Sequence, residues 1–520
     1  MTPAGPLAGG SVTNDSQIDW LQGVCFAFLR GSTYNARRMS HYLHMPKTRE
    51  PPRSESHMSI LRSRALEDEF CDVVRELGGD AEGRAQGDAY LEAAHPLVDK
   101  YGSSTWALTP KVFGSAEVAT LSEAAETMGR IMDKVTARYL TDADFRKLFR
   151  LPAEVEELTL VPTGYEQLVP FARVDAFYDE EKGDYTFVGV VTDSAKGMTA
   201  AVDVTRAIQR SESYRRFAER HHGIETFDIT DGVIAALRET YTSWANADTG
   251  THHPDRPTVG IVDYAESATE GEFADIIERL AEEGVYARFV DIRDLRIEEA
   301  AGTRRLVDSE GPIACVYRRA LVSEMLEKPC EGADALVEAA RRGLACVIGG
   351  FRTWPVSTPS FFSVLCSDAI ESVLDPLEVA FVRAHVIETH QLTSDTDLAP
   401  YLADKDLWVA RPAGAYTATA GGSIAGRDCE TGDDWWRVLL ACAQEGGVVQ
   451  RMVPAYETPV FAGGAGAEGV DVGETVTVRN ITGLYLFRGK FGGIHSRCGY
   501  EGPAGHWDHR MDMGTLVVSD

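Results

Sequence analysis

Arg173 and Asp175 lie two residues apart in the stretch from 171 to 198, FARVDAFYDEEKGDYTFVGVVTDSAKGM. On an extended strand that spacing puts both on one face, a cation beside a carboxylate. A guanidinium can grip a carboxylate or phosphate with two parallel hydrogen bonds, and a carboxylate can ligate a hard cation. The segment that follows, Thr192 to Gly197 (TDSAKG), is small and polar. Such a loop lets backbone N–H groups point outward, as anion sites require. The stretch also supports a plainer reading, a surface hairpin with one ion pair. Other residues with chemical potential follow along the chain: Arg319, Arg411 before Pro412, Gln450 and Arg497. Each has a structural alternative. Asp193 and Ser194 are good helix N-caps. Arg411 could be an edge-strand surface residue, and Arg319 and Arg497 could form structural ion pairs. His41 and His44 have no third ligand nearby and read as surface residues. His506, Asp508 and His509 read as a solvated loop, and Cys25, flanked by apolar residues, as a buried thiol.

The elements that must position these residues follow from periodicity. Arg173 to Tyr178 and Tyr185 to Val191 are apolar runs joined by a polar, Gly-containing turn, the pattern of a β-hairpin. Before them, Ile60 to Leu77 and Ala116 to Leu140 carry apolar residues at close to a 3.6 period, and Asp142 reads as the cap of a further helix. Asp19 to Leu29 reads as a short helix, and the Pro-rich stretch from Met45 to Ser56 as an exposed loop. The first 150 residues or so are therefore expected to be mostly helical. Ala201 to His221 and Thr230 to Asn246 read as two helices, followed by a linker to Pro257. From Thr258 to Ile348 short β-type runs alternate with amphipathic helices, which predicts a Rossmann-like parallel sheet. No Gly-x-Gly-x-x-Gly follows the first strand, so a dinucleotide site is not supported. In the last third, strands are expected at Leu407 to Pro412, Gly447 to Val453, Glu474 to Val478, Leu484 to Phe487 and Gly492 to Arg497. A helix is expected over Asp433 to Ala443, and a mobile small-residue loop over Ala413 to Gly422.

Composition bounds the function. The 520 residues suffice for two to four domains with real cores, and 44% hydrophobic with 25% charged residues is ordinary for a globular chain. The net charge of −29 lacks the basic footprint of nucleic-acid or anionic-membrane binding. No apolar run has the length of a membrane span, and the first residues lack the basic and apolar regions of a signal peptide. Nine scattered cysteines with no C-x-x-C pair fit buried thiols in a reducing compartment. A cytoplasmic protein is expected.

The order of the pieces resembles the glutathionylspermidine synthase-like group of circularly permuted ATP-grasp ligases. The matching residues are Phe171-Ala172-Arg173-Val174-Asp175, Val191-Thr192-Asp193-Ser194, Val316-Tyr317-Arg318-Arg319, Trp408-Val409-Ala410-Arg411-Pro412, Val448-Val449-Gln450 and Gly492 to Arg497. The resemblance covers roughly Leu158 to the C-terminus, and order carries it more than any single motif. It implies an α/β (α+β) fold: a helical region to 157, a first ATP-grasp lobe over 158–256, a Rossmann-like pre-ATP-grasp unit over 257–395, and a nucleotide-clamping lobe over 396–520. It implies ATP and Mg²⁺ as cofactors. The reaction would join a small-molecule or peptide carboxylate to an amine through an acyl phosphate.

Carried over residue by residue, the resemblance makes Asp175 a metal ligand, with Asp193 as a neighbouring substitute. Arg173 would hold the acid substrate or phosphate, and Arg497 matches the arginine that returns to the site at the chain's end, both as catalytic groups. Arg411 stands where the family has a nucleotide-binding lysine, Gln450 borders adenine, and Ser194 and Arg319 line the same cleft. Two departures bear on activity. Gly189 stands where the family has a metal-binding Glu, and Val191 where it has an Asn. Neither side chain can ligate a metal, so a protein that binds a nucleotide, peptide or partner without catalysis is the alternative reading. In either case the C-terminal strands are expected beside the hairpin, with Arg497 and Asp175 in one cleft.

Overall fold

The computed structural model describes residues 56–94, 105–247, 253–300, 302–412, 423–463, 473–500 and 509–519. The expected helix at 19–29, most of the loop at 45–56, His41, His44, Cys25, the small-residue loop 413–422, His506 and Asp508 lie outside the described residues.

The hairpin forms as its sequence predicts. Strands Phe171–Asp179 and Asp184–Val191 pair antiparallel, with Asp175 opposite Gly189 and Arg173 opposite Val191. Gly183, at φ +64, takes the left-handed position of the turn, and Asp179 Oδ1 accepts the N–H groups of Glu181 and Lys182. This hairpin is one margin of a nine-stranded sheet. Inward from it come Val476–Phe487, Lys490–Tyr500, His509–Val518, Thr105–Gly114 and Ala462–Gly463. Thr105–Gly114 runs parallel to His509–Val518, and the other long neighbours are antiparallel.

Helix Ser115–Thr141 covers one face of this sheet. Its apolar stripe, Leu121, Ala125, Met128, Met132 and Val135, is buried against Val174, Ala176, Leu484, Leu486 and Ile494. Fully burying each large side chain there contributes about 1.5–3 kcal/mol. The opposite face packs Tyr485 and Phe487 against helices Met198–Ile208 and Ile229–Ala247.

A second sheet has four parallel strands in the order Cys346–Ile348, Cys315–Arg318, Val259–Asp263, Ala287–Asp291. Helices Glu270–Glu282 and Glu331–Arg342 pack on it, the latter stopped by Gly343 in the left-handed conformation. A third, antiparallel sheet joins Thr389–Gln391, Val448–Arg451, Trp408–Arg411 and Ile424–Ala425. Helix Gly432–Glu445 backs it through Trp435, Leu439 and Cys442. The protein is thus a mixed α+β fold, and no helix among the described residues is long and apolar enough to cross a membrane.

Four local expectations need correction. The N-terminal region is not only helical: Thr105–Gly114 is a strand inside the large sheet. Pro110 and a register shift between Ala107 and Lys111 break its alternation, so its sequence hides it. The single helix expected over 201–221 is two, Met198–Ile208 and Glu212–Arg220, because the Ser211 hydroxyl caps a new helix at Tyr214 N–H. The two short strands expected at 474–478 and 484–487 are one, Val476–Phe487. His509 opens a ten-residue strand rather than sitting in a loop.

Candidate functional site

Strand register alone brings three of the candidate residues together. Asp175 lies opposite Gly483 on Val476–Phe487, and Gly483 lies opposite His495 on the next strand. Arg497 follows His495 by two residues and so shares its face. Arg173 Nε and one of its terminal nitrogens donate to Asp175 Oδ1 and Oδ2 at 2.7 and 3.0 Å. Arg497 donates to the same Oδ1 at 2.7 Å across 322 residues of chain. Glycine at 483 is required here: a Cβ would stand 2.9 Å from Arg173 Cδ and 3.1 Å from Asp175 Oδ1. Burial by itself would push the Asp175 carboxyl up. The charges of Arg173 and Arg497 outweigh that and hold it down at about 2.

Beside this cluster stands a pair that sequence reading missed. His495 Nε2 lies 2.7 Å from Asp512 Oδ1, while Nδ1 is buried without a partner. Burial, with the nearby arginine charges, pushes the His495 pKa below the usual range, so the ring is neutral near pH 7. The only signal in the sequence was His495 two residues before Arg497. Asp512 lies on a strand that was not anticipated.

The loop after the hairpin is the second group. Lys196 C=O accepts from Arg173 at 2.8 Å and from the Tyr485 hydroxyl at 2.7 Å, which ties the loop to the arginine cluster. The N–H groups of Gly197 and Met198 open helix Met198–Ile208, the place where an external anion would bind. They donate instead to Glu272 Oε2 at 3.0 and 2.8 Å. Glu272 Oε1 also meets Arg319 at 2.7 Å, and Arg319 Nε donates to Ser194 Oγ at 3.1 Å. Asp193 accepts from the buried Arg318 and, at 2.9 Å, from Val322 N–H at the start of a short helix. Asp193 thus anchors the start of that short helix from afar and Ser194 anchors the wholly buried Arg319; neither caps the helix that follows them, Met198–Ile208, whose N-cap is Gly197.

These contacts fall at the carboxyl ends of strands Val259–Asp263 and Cys315–Arg318, between which the parallel sheet reverses its order. Open α/β sheets characteristically bind ligands there. Asp263 stands at that point, wholly buried, with Oδ2 unpartnered and its pKa raised by burial to about 6 against the pull of Lys196 and Arg319.

The third group stands apart on the small sheet. Arg411 donates to Gln450 Oε1 at 3.0 Å, and Gln450 Nε2 donates to Thr389 Oγ1 at 3.0 Å. Among the described residues no carboxylate pairs with Arg411, and its Nε is buried without a partner. Loss of hydration alone lowers its pKa to about 10, so it remains a cation. No hydrogen bond or ion pair among the described residues links this group to the arginine cluster.

The family resemblance implies a metal at these donors. A hard cation needs several free carboxylate or carbonyl oxygens. Asp175 Oδ1 already takes two N–H groups, Asp193 is shared between a guanidinium and a helix N-terminus, and Gly189 and Val191 offer no side-chain oxygen. Among the described residues no group of three or more His, Cys, Asp or Glu side chains could hold a metal. The donor set does not fit Mg²⁺.

No protein-family model matches the chain, and no curated protein matches it. Solved structures do. A glutathione synthetase-like effector from Globodera pallida superposes with a TM-score of 0.56 at 11% identity, over 84% of this chain and 96% of that one. A protein from Methylobacillus flagellatus KT, provisionally named a gamma-glutamylcysteine synthetase, matches over 75% of this chain and 88% of its own at 8% identity, with a TM-score of 0.34 that carries no argument. At 11% identity the first likeness is one of fold.

Proposed function

We propose that this chain is an ATP-grasp-type protein that binds a nucleotide and a carboxylate-bearing small molecule or peptide without metal-dependent phosphoryl transfer. One observation carries the reading: Arg411, beside Gln450, has no carboxylate partner among the described residues, while Arg173, Arg318, Arg319 and Arg497 each meet one. A half-buried cation of this kind is completed by an anionic ligand, and a guanidinium suits phosphate. Arg411 falls where the resembled family places its nucleotide-binding lysine.

A second reading is favoured by the fold likeness to a glutathione synthetase-like protein. In it the chain is a carboxylate–amine ligase. The acid's carboxylate oxygen would attack the γ-phosphorus of ATP, releasing ADP. An amine would then attack the acyl carbon, forming an amide and releasing phosphate. Arg497 and Arg173 would face the acid, and Arg411 the phosphates. This chemistry needs charge neutralisation at the transferring group, and the donors around Asp175 do not supply it through a metal.

Thermal unfolding with ATP, in magnesium and in chelator, separates the two, because a ligand that binds only the native state raises Tm. A rise independent of magnesium supports the binder. A rise that needs magnesium, with ADP released when acids and amines are supplied, supports the ligase. No rise in either condition removes the nucleotide from both readings.

A further inference from the structure

The Asp175 centre and the metal that the fold resemblance implies are in conflict, and the conflict has a specific geometry. Each carboxylate oxygen has about two acceptor positions. Oδ1 uses both, one for Arg173 Nε at 2.7 Å and one for Arg497 at 2.7 Å. Oδ2 uses one, for Arg173 at 3.0 Å. A divalent ion entering here would have to displace a guanidinium from a carboxylate that is 4% exposed, and would then sit against two fixed positive charges. The neighbouring strand supplies no compensating side-chain oxygen, because the residue opposite Asp175 is Gly189.

The space for one is nevertheless there. A Cβ on Gly189 would meet only Asp175 within 4 Å, its Cβ at 3.5 Å and its Oδ2 at 3.8 Å. The glycine is therefore not required by packing. What distinguishes this centre from a metal site is chemical: side-chain oxygens are missing at 189 and 191, which leaves the Asp175 carboxylate to the two guanidinium groups. The backbone around the clamp is fixed independently. Arg173 also donates to Lys196 C=O, and Tyr485, packed against the Arg173 guanidinium, donates to the same carbonyl.

We propose that Arg173 and Arg497 occupy the place of the divalent cation, so that the fixed positive charge of this centre is guanidinium and the centre takes up no metal. The inference uses the fold reading only to say where a metal would have been. It does not depend on whether the protein binds a nucleotide.

Manganese alone is the probe, because free Mn²⁺ is counted directly by its electron paramagnetic resonance signal. The full chain is titrated as wild type, as Asp175→Asn, and as the double variant Arg497→Met with Gly189→Glu. Wild type and Asp175→Asn are expected to bind the same number of Mn²⁺ ions, all on the acidic surface. The double variant is expected to bind one equivalent more, since it frees one of the two acceptor positions on Oδ1, removes one of the two facing charges and adds a second carboxylate. One equivalent bound by wild type and lost in Asp175→Asn overturns the proposal. So does a folded double variant that gains nothing, because removing the Arg497 charge and restoring a carboxylate at 189 would then not make room for a metal beside Asp175. Should a variant fail to fold, the wild-type Mn²⁺ titration decides: one equivalent held far more tightly than the remaining acidic-surface sites overturns the inference, and weak sites alone support it. ATP is absent throughout, so failure of the nucleotide reading leaves this result untouched.

Discussion

At the scale of single residues, Asp175 does most to hold the candidate site together. It satisfies Arg173, 8% exposed, and anchors Arg497. Removing one partner of a buried ion pair leaves the other uncompensated, which costs about 3–5 kcal/mol. Asp175→Ala is therefore expected to lose stability of that order in urea denaturation. The acid limb follows from the direction of the pKa. A carboxyl held at about 2 in the native state, against 3.8 unperturbed, stabilises the fold at pH values above the unperturbed value. That contribution is lost as pH falls from about 4 through about 2. Denaturation followed across this window should show a steeper loss in wild type than in the variant. Arg411 behaves oppositely. It has no ion pair among the described residues to lose, so Arg411→Ala is expected to change stability by no more than about 1 kcal/mol while removing ATP binding in calorimetric titration. Arg411→Lys should retain part of the affinity, since the charge remains.

At the scale of elements, two junctions are constrained enough to test. Glu117 opens helix Ser115–Thr141. Its carboxyl accepts Gly114 N–H and the Tyr178 hydroxyl, at 2.8 Å each. Burial pushes its pKa up to about 7, in spite of those two hydrogen bonds. A raised carboxyl stabilises the fold fully below its unperturbed value of 4.5, and loses that contribution as pH rises through about 7. Two and a half pH units correspond to about 3 kcal/mol. Glu117→Gln should flatten the dependence of unfolding free energy on pH between about 4.5 and 7. The second junction is Gly332, where helix Glu331–Arg342 packs on the turn after Ala287–Asp291. A Cβ there would lie 1.8 Å from Ile292 O, a backbone atom that cannot rotate away. Gly332→Ala is expected to destabilise by about 1–3 kcal/mol in the same denaturation assay.

At the scale of the whole molecule, the large sheet ties the chain's distant segments together. Residues from the expected helical region, the hairpin and the last 65 or so residues share one sheet. His509–Val518 lies inside it, paired on one side with Thr105–Gly114 and on the other with Lys490–Tyr500. Deleting residues 509–520 removes a strand with two partners and exposes two unpaired edges. The truncated chain is expected to show no cooperative thermal transition by circular dichroism, whereas wild type should show one. A truncated protein that melts cooperatively near the wild-type temperature would mean that the last strand is dispensable.

Much of the local structure was legible from sequence because its causes are local. The hairpin follows from two apolar runs around a turn ending in Gly183-Asp184, helix Ser115–Thr141 from its 3.6 period, and the parallel sheet from alternating runs between 258 and 348. The types and spacing of Arg173 and Asp175 were enough to predict that they share a strand face. Strand Thr105–Gly114 was not legible, because its partners lie some 400 residues away and a bulge breaks its pattern. Only the tertiary structure decided what the site residues hold. Asp193 could equally have capped the helix that follows it or faced a ligand, and the arrival of Arg318 and Val322 N–H gave it a third role, a buried anchor between distant segments. The loop before Met198 has the composition of an anion site, but Glu272, 74 residues on, supplies the carboxylate itself. His495 and Asp512 became a pair only when two strands came into register. Residue type and spacing fix which hydrogen bonds and charges a side chain can offer. Which partner takes them is settled by long-range packing, because burial makes an unmet polar group too costly to leave and the fold supplies whichever partner comes within reach.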